Sequence, residues 1–482
     1  MAVDTATPNP FTLDAPARDR LQRGIERAAA LARRRVGPGL ASVTVRLPAE
    51  LDLSAAVLGA RRVDDRFYCL EQPDRDGFVL ATLGCAALVE ARGPARFADA
   101  AARCRELARR TVADEPASDP GAPHGSGPVF VGGFAFSPQG GGSPEWHSLA
   151  TAQLVMPEIA LSRHLGEARL TVCVSVDPDG SAEEALERVE ARLAELAPVP
   201  MPMFDPDPIE RPRVAGAAAP SHYEAAVARA VELIRSGRLD KLVLAREVRV
   251  HASRELDPAP VLDALRAAFP ACYCYCVGTP ELAFLGASPE LLVRKDGARV
   301  QTVALAGTTR RSADPATDDH LGEQLLQSAK DREEQAIVAR RIERALGPVS
   351  LWVAAADEPV LVKVLNVQHL ATPIRAQLTE PRAAVELAGL LHPTPAVGGE
   401  PWAEAEPLIP ALEGLDRGWY AGPVGWTDLS EDGEFCVALR CALLRGDVAH
   451  LYAGCGIVAD SVPADELAES EVKLQALLPL LA

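Results

Sequence analysis

The sequence lacks the features expected of a membrane protein, a nucleic-acid-binding protein or a small secreted domain. No run approaches the ~18 consecutive apolar residues of a membrane-spanning helix, and the opening residues MAVDTATPNP show no basic-then-apolar signal pattern. Cationic residues are outnumbered, with 49 Lys and Arg against 67 Asp and Glu, so the net charge is −18. A surface this acidic disfavours nucleic acid and anionic membranes as partners. An anionic ligand would need a site that gathers local cations or a metal.

Cysteine is also sparse, with ten residues in 482, and forms no dense framework of the kind that stabilises small secreted domains. Cys272, Cys274 and Cys276 alternate in the stretch CYCYC, which places them on one face of a strand. No second pair with the spacing of zinc ligands follows, so we interpret them as buried small residues and not as a metal site. A reducing cytoplasm is the expected location.

What the sequence does contain is enough apolar material for a large core, since 48% of its residues are hydrophobic and 24% are charged. Strand-like runs alternate with amphipathic helices, and several runs have hairpin-like spacing. This pattern predicts a mixed α/β fold without strict βαβ repetition. Residues 1–25 are predicted to be a flexible N-terminus because they begin with a stretch rich in Pro, Asp, Thr and Ala.

The clearest break in the pattern is a proline-rich loop predicted over residues 198–220. Its six prolines before Arg213 forbid both a helix and a central strand. The segment either separates two domains or crosses the surface of one. It divides the chain into an N-terminal half, 26–197, and a C-terminal half, 221–482.

Two helices are predicted with particular clarity in the C-terminal half. Ser221 and Glu224 have the spacing of a capping box, which predicts that a helix starts there. Apolar periodicity in SAKDREEQAIVARRIERAL predicts one long helix from about Asp318 to Leu346.

Three isolated charged residues stand where chemistry could occur. Lys241 opens an apolar strand in DKLVLARE, and Glu290 follows a strand in FLGASPELL. Glu334, with Glu333 beside it, borders the buried face of the long helix. Each has an ordinary explanation taken alone: a solvated edge lysine, a turn carboxylate or a charged helix surface.

The last predicted helix carries Glu466, Glu469 and Lys473 on one face, at positions i, i+3 and i+7. A Glu469–Lys473 pair is ordinary on an exposed helix. Together with Glu334, the two glutamates could also hold Mg²⁺ with waters and an oxygen-bearing substrate. Mg²⁺ binds few protein oxygens and keeps open positions, so three glutamates are a plausible number.

Eight motifs occur in an order and spacing that resemble the chorismate-utilising enzymes, the group that includes anthranilate synthase component I. They span residues 220–475 and read DKLVLARE, FLGASPELL, LAGTTRR, SAKDREEQ, VQHLATPI, HPTPAVGG, VALRCALL and YAGCGIVADSVPADELAESEVK. A weaker match, FVGGFAF, lies nearer the N-terminus. The resemblance implies a single chorismate-binding catalytic domain over residues 26–482, of α/β type, with two β-sheets packed face to face and helices outside.

The resemblance also implies a reaction. Members that add ammonia typically carry Gln where this chain has Lys241, whereas members that add water carry Lys, so Lys241 is the expected general base that activates water. Glu290 is the expected general acid, which protonates the departing C4 hydroxyl of chorismate. Water would enter at C2, and the expected product is isochorismate. Ala306 stands where some relatives place a nucleophilic lysine, so that covalent route is not expected.

The other roles that the resemblance implies concern binding. Glu334, Glu466 and Glu469 would surround Mg²⁺, the expected cofactor. Arg440 and Lys473 would hold anionic groups of chorismate, Arg440 through a bidentate contact. The full set of expected substrate-binding residues is Gly307, Thr308, His369, Ala396, Arg440, Tyr452, Gly454, Gly456 and Lys473.

Two positions depart from the family pattern. Gln335 stands where a His usually follows the metal-binding glutamate, which leaves the choice between Glu333 and Glu334 to motif spacing, and the spacing favours Glu334. Leu467 replaces an aromatic residue that is common after the glutamate of the last helix.

Two other functions remain open at this point. A salicylate synthase would share the lysine base and then eliminate pyruvate, and such relatives often have Thr where this chain has Ala396. A non-catalytic chorismate-binding protein would have no need of competent base, acid and metal residues. The product is compatible with menaquinone or siderophore biosynthesis, and the sequence is compatible with a monomer or a homodimer.

Overall fold

The computed structural model describes residues 9–34, 37–114, 122–204, 212–365 and 367–481. Within these ranges the chain forms two largely antiparallel β-sheets, of 13 and 10 strands, with helices packed against them. The predicted α/β fold with two packed sheets is confirmed. No helix in the described ranges is both long enough and apolar enough to cross a bilayer.

The elements follow one another in two series, on either side of the proline-rich segment. The first series is α1 (Ala15–Arg34), β1 (Gly39–Leu47), α2 (Leu53–Gly59), β2 (Phe67–Gln72), β3 (Phe78–Leu83), β4 (Ala87–Ala91), α3 (Arg96–Ala108), β5 (Thr111–Ala113), β6 (Val129–Phe134), a 3₁₀ turn (Pro144–Trp146), β7 (Ala152–Met156), β8 (Ile159–His164), β9 (Glu167–Val176) and α4 (Ala182–Leu193). The second is β10 (Arg213–Gly216), α5 (Pro220–Arg235), β11 (Lys241–His251), α6 (Pro258–Ala268), β12 (Tyr273–Gly278), β13 (Ala283–Ser288), β14 (Leu291–Asp296), β15 (Arg299–Arg310), α7 (Pro315–Gln327), α8 (Ala329–Leu346), a 3₁₀ turn (Gly347–Val349), β16 (Ser350–Ala355), β17 (Val360–Lys363), β18 (Val367–Leu378), α9 (Ala384–Leu391), β19 (Gly399–Glu400), α10 (Trp402–Glu413), β20 (Pro423–Asp428), β21 (Gly433–Val437), β22 (Cys441–Arg445), β23 (Val448–Ile457), α11 (Pro463–Leu474) and α12 (Leu478–Leu481).

Both sheets are built from strands of both series. The larger sheet has the order β10-β11-β23-β22-β13-β12-β2-β3-β8-β9-β1-β5, with β19 beside β11. The smaller has the order β16-β18-β15-β14-β21-β20-β6-β7-β4, with β17 beside β18. The two series meet where β12 pairs with β2 and where β20 pairs with β6. The proline-rich segment therefore does not separate two independent sheets.

Alternating side chains of β12 show how the larger sheet separates two apolar cores. Tyr273 and Tyr275 face the core that includes side chains of both sheets. Cys274 and Cys276, with Cys272 just before the strand, face the outer core, to which α1, α2 and α6 contribute. The prediction that these three cysteines are buried small residues is confirmed, because none is more than 1% exposed.

The predicted flexible segment, residues 1–25, is wrong from Ala15 onward. Helix α1 packs along β1, and its Leu21 and Ile25 are fully buried. The charged residues between these apolar positions occupy the solvent face of an amphipathic helix, whereas the prediction rested on the Pro, Asp, Thr and Ala content of the first residues. Residues 1–8 lie outside the described residues.

Two predicted helix boundaries are also wrong. Helix α5 begins at Pro220, whose fixed φ suits the first turn and whose missing N–H needs no partner there, so Ser221 makes no capping hydrogen bond. The single helix predicted from about Asp318 to Leu346 is two helices, α7 and α8. They are separated at Ser328, which has an extended backbone and caps α8 by accepting a hydrogen bond from the Asp331 N–H.

The predicted proline-rich loop, 198–220, is not irregular throughout. Strand β10 lies inside it and pairs with the far end of β11, and the first residue of α5 closes it. Pairing is possible there because the last proline of the cluster precedes β10. Residues 205–211 lie outside the described part of the chain.

Two buried side chains complete one edge of β11 between the described strands β19 and β10. Glu413 accepts a hydrogen bond from the Ala245 N–H at 2.7 Å, and Arg417 donates one to the Val243 carbonyl at 3.0 Å. Glu413 and Arg417 form an ion pair at 2.5 Å, and neither side chain is more than 3% exposed. The pair takes the place of a neighbouring strand along the part of β11 that follows Lys241.

Candidate active site

One cavity is lined by all fourteen residues to which the sequence analysis assigned a role. The cavity and its mouth together enclose about 890 Å³ of atom-free space. The residues reach it as follows: Lys241 from β11, Glu290 from the β13–β14 turn, Gly307 and Thr308 from β15, Glu334 from α8, His369 from β18, Ala396 from the loop before β19, Arg440 from the loop before β22, Tyr452, Gly454 and Gly456 from β23, and Glu466, Glu469 and Lys473 from α11. Their individual roles stay predictions.

Lys241 is buried although it opens a strand. Its side chain is only 1% exposed, and its Nζ lies 2.8 Å from Oε1 of Glu334 on α8. An ammonium group at this depth needs a partner that offsets its lost hydration. The ordinary explanation of a solvated edge lysine does not apply, because β19 and β23 cover the two edges of β11 at this end.

Gly456 provides the space that this ion pair occupies. A Cβ atom at position 456 would lie 2.5 Å from Oε1 of Glu334 and 2.7 Å from Cε of Lys241. Gly454, two residues earlier on the same face of β23, similarly approaches the Tyr420 hydroxyl, 2.9 Å from where its Cβ would be. These glycines are needed because other groups come close to the backbone.

Glu290 is 3% exposed, and its pKa is raised to about 8. Burial raises this pKa by disfavouring the carboxylate, while the Lys241 charge and the Thr394 hydroxyl act in the opposite direction. The carboxyl group is therefore protonated at neutral pH and can donate a proton. Its backbone is fixed by two hydrogen bonds, from its N–H to Ser288 Oγ at 3.2 Å and from the Val437 N–H to its carbonyl at 3.0 Å.

His369 and Arg440 form a hydrogen-bonded pair in the cavity wall. Nη2 of Arg440 lies 2.8 Å from Nε2 of His369, and Nδ1 of His369 lies 3.3 Å from the Gly307 carbonyl and 3.1 Å from Oγ1 of Thr308. Burial, with the charges of Arg440 and Lys473, holds the pKa of His369 well below its ordinary value of 6.5, so the ring is neutral. A neutral ring that donates from Nδ1 to Gly307 can accept from Arg440 at Nε2. His369 thereby orients the guanidinium group.

Carboxylates and lysines meet on the side of the cavity formed by α8 and α11. Glu469 lies 2.7 Å from Nζ of Lys473, and Glu466 lies 3.7 Å from Nζ of Lys330. Burial raises the pKa of Glu466. Burial alone would also raise the pKa of Glu469, but Lys473 holds it below its ordinary value. The carboxylates are thus drawn together around cationic partners.

The same carboxylates fit a hard divalent cation. One oxygen each from Glu466 and Glu469 lies within 4.8 Å of the other and of the Cys455 sulfur. Of these three residues only the two glutamates line the cavity, on the side where Glu334 also reaches it. Oxygen ligands from two helices, few enough to leave positions for water or substrate, are what Mg²⁺ prefers.

The rotation of α8 selects Glu334 over its neighbour. Glu333 points to solvent and pairs with Arg340 at 2.9 Å, with both side chains more than half exposed. Glu334 is 12% exposed and lines the cavity, while Gln335 is buried against the sheet. The structure therefore brings into the cavity the residue that motif spacing favours.

The sequence analysis did not identify several residues that line the cavity, namely Val243, Pro289, Leu305, Lys330, Asp331, Val397, Tyr420, Leu439 and Ala453. Lys330 and Asp331 lie about one helical turn before Glu334, so their i, i+4 and i, i+3 spacing was a signal that could have found them. Tyr420 has no such signal. It reaches the cavity by stacking on Tyr452, with ring centroids 5.3 Å apart.

Known proteins resemble the chain in sequence and in fold. A family model described as chorismate binding enzyme matches residues 26–482. The salicylate biosynthesis isochorismate synthase of Pseudomonas aeruginosa is 38% identical over 427 residues, which cover 86% of this chain and 85% of that protein. The isochorismate synthase MenF of Bacillus subtilis is 36% identical over 355 residues, covering 74% and 75%. The solved structure of the menaquinone-specific isochorismate synthase MenF from Escherichia coli superimposes with a TM-score of 0.77 at 26% identity, covering 96% of this chain and 100% of that one.

Proposed function

Because the chain belongs to the family of chorismate binding enzymes, we propose that it converts chorismate to isochorismate. The observation that carries this proposal is the presence, in one cavity, of the buried Lys241 and of a Glu290 that is protonated at neutral pH. The reaction adds water at one ring carbon and releases a hydroxyl group from another. It therefore needs a base and an acid whose surroundings differ, as those of Lys241 and Glu290 do.

The proton transfers follow from the placement of these two groups. The Lys241 amine, in its unprotonated form, takes a proton from a water molecule as the water oxygen bonds to C2 of chorismate. Both conjugated ring double bonds shift by one position, and the C4–O bond breaks as Glu290 gives its proton to the departing hydroxyl, which leaves as water. One water enters and one leaves, so the net change is an isomerisation. Lys241 ends protonated and Glu290 ionised, and exchange with solvent restores both.

Mg²⁺ is the cofactor that we propose, held by Glu334, Glu466 and Glu469, and when bound it would neutralise a carboxylate of the substrate. The charges in the cavity support this. Its lysines and arginine number four, and its carboxylates also number four once Glu290 is protonated. With Lys241 unprotonated, as the reaction requires, the site has one net negative charge, and a divalent cation would change this to one net positive charge, which attracts the dianionic chorismate.

The test is product analysis with purified protein, chorismate and Mg²⁺, followed by chromatography. We expect isochorismate to accumulate. Its formation should stop when EDTA removes the metal and resume when Mg²⁺ is restored. Lys241→Ala should lower turnover by a factor of about 10² to 10⁴, the range that general-base catalysis contributes. Lys363→Ala is the matched control, because Lys363 pairs with Asp318 and Asp319 and does not line the cavity.

Two results would contradict the proposal. Pyruvate and salicylate released from chorismate without any added lyase would show that the reaction continues beyond isochorismate, as in a salicylate synthase. Binding of chorismate without conversion, or full turnover by Lys241→Ala, would remove the assigned role of the lysine.

A further inference from the structure

Gln335 joins α8 to the two strands beneath it. Its Nε2 donates hydrogen bonds to the Ala304 carbonyl on β15 at 2.8 Å and to Oγ1 of Thr372 on β18 at 3.0 Å. Strand β15 pairs with β14 only over residues 299–301, so the contact with Ala304 reaches a part of β15 that β14 does not cover. The side chain is 2% exposed.

The same amide carries an unpaired oxygen. Oε1 of Gln335 is buried and has no hydrogen-bond partner among the described residues. An unpaired buried acceptor is destabilising, and the amide offsets this by donating to the Ala304 carbonyl and the Thr372 hydroxyl. What these two donated bonds achieve in addition is to join α8 to the sheet at a fixed point.

Gln335 is next to Glu334 on a helix whose neighbouring side chains point in directions about 100° apart. Glu333 faces solvent, Glu334 faces Lys241 and Gln335 faces the sheet. We infer that Gln335 is a positioning residue: its two hydrogen bonds fix the rotation of α8 so that Glu334 faces Lys241 and the cavity. The inference rests on the proposed function, because Glu334 matters as the neighbour of the proposed base and as a proposed ligand of Mg²⁺.

The experiment compares wild type with Gln335→Leu, which keeps the volume and removes both donors. Mg²⁺ affinity is measured by calorimetry without substrate, together with kcat, KM and the melting temperature. We expect Mg²⁺ affinity to fall by about 10- to 100-fold, as it does when groups that orient a metal ligand are removed. We also expect kcat to fall by about tenfold, with a modest fall in the melting temperature because the Ala304 carbonyl loses its donor.

Two further variants separate orientation from packing. Gln335→His supplies a ring N–H donor in place of the amide donor and should keep Mg²⁺ affinity within a few-fold of wild type. Glu333→Gln changes the exposed neighbour on the same helix and should leave affinity, kcat and melting temperature unchanged.

A crystal structure of Gln335→Leu decides the question directly, whatever the protein does with chorismate. Glu334 turned away from Lys241 would support the inference. Glu334 still about 2.8 Å from Lys241, or a lower melting temperature with unchanged Mg²⁺ affinity, would overturn it. A wild-type protein that binds Mg²⁺ but leaves chorismate unchanged would instead contradict only the proposed function.

Discussion

The chemistry of Glu290 is decided by its surroundings. An exposed glutamate is ionised at neutral pH and cannot act as an acid, whereas burial in the β13–β14 turn raises the pKa of Glu290 to about 8. A second residue, Lys241, is buried beside a carboxylate, with its Nζ 2.8 Å from Oε1 of Glu334. At the scale of single residues, the site works by giving acidic and basic groups unusual neighbours.

This places an upper limit on the pH range of activity. The proton that Glu290 donates is present below pH 8 and is lost as the pH rises through that value. We expect kcat/KM for chorismate to fall by about tenfold one pH unit above the pKa. Rates are measured between pH 7 and 9.5, with circular dichroism at each pH to show that the fold persists. A flat profile over that range would remove Glu290 as the general acid.

Gly456→Ala tests how closely the ion pair and the backbone are packed. The added Cβ would overlap Oε1 of Glu334 and Cε of Lys241, the far parts of flexible side chains, so the backbone can stay in place while the pair is displaced. A displacement of about 1 Å at such a site can cost about 10²-fold in rate, and we expect that loss with an almost unchanged melting temperature. Gly347→Ala is the control, because a Cβ there meets nothing within 4 Å. Wild-type turnover by Gly456→Ala would show that the pair tolerates displacement.

The positions of Lys241 and Glu290 were predictable because each lies within a motif that carries its own spacing. The contact between Lys241 and Glu334 was not, since it joins residues far apart in the chain and depends on how α8 lies across the sheet. Tyr420 was missed for the same reason, because stacking on Tyr452 brings it to the cavity and no sequence pattern marks that contact.

At the scale of elements, the backbone hydrogen bonds of β11 are completed by side chains as well as by neighbouring strands. The buried Glu413–Arg417 pair satisfies its backbone between β19 and β10. Removing one member of a buried ion pair leaves the other charge unpaired and typically costs 3–5 kcal/mol. We expect Glu413→Ala to lower the free energy of unfolding by about that amount, measured by urea denaturation.

The control for that variant lies on the same helix. Glu404 pairs with Arg238 at 3.1 Å, and both side chains are about half exposed. Exposed pairs contribute about 0–1 kcal/mol, so Glu404→Ala should cost less than about 1 kcal/mol. Equal losses for the two variants would contradict the role of the buried pair.

Sequence patterns located the helices of the C-terminal half better than their ends. Helix α5 begins at Pro220, one residue before the Ser221 capping box, because the fixed φ of proline suits the first turn of a helix. The break between α7 and α8 depends on Ser328, whose capping side chain is a readable signal, but the continuing apolar periodicity concealed it. The start of helix α1 was missed because the prediction for this segment rested on the composition of its first residues, whereas the helix begins at Ala15.

At the scale of the whole molecule, the net charge opposes the proposed substrate. A chain with a net charge of −18 repels a dianion at long range, while the cationic groups of the cavity attract it only at short range. Raising the ionic strength from about 0.01 to 0.15 M shortens the screening distance from about 30 to about 8 Å. We expect kcat/KM at saturating Mg²⁺ to rise by about twofold over that range. A steady fall from the lowest salt would show that the cavity charges dominate the approach.

Both sheets contain strands from before and after the proline-rich segment, and this arrangement affects how the protein folds during synthesis. During synthesis, the first half of the chain emerges with strands of both sheets whose partner strands have not yet been made. The cavity is lined by residues of the second half, so it cannot form before that half is synthesised. A protein cleaved in the proline-rich segment would yield two fragments that expose the strand edges paired between the halves in the intact fold. The cavity is completed late in synthesis, because Glu466, Glu469 and Lys473 lie on α11, which follows all the strands of both sheets.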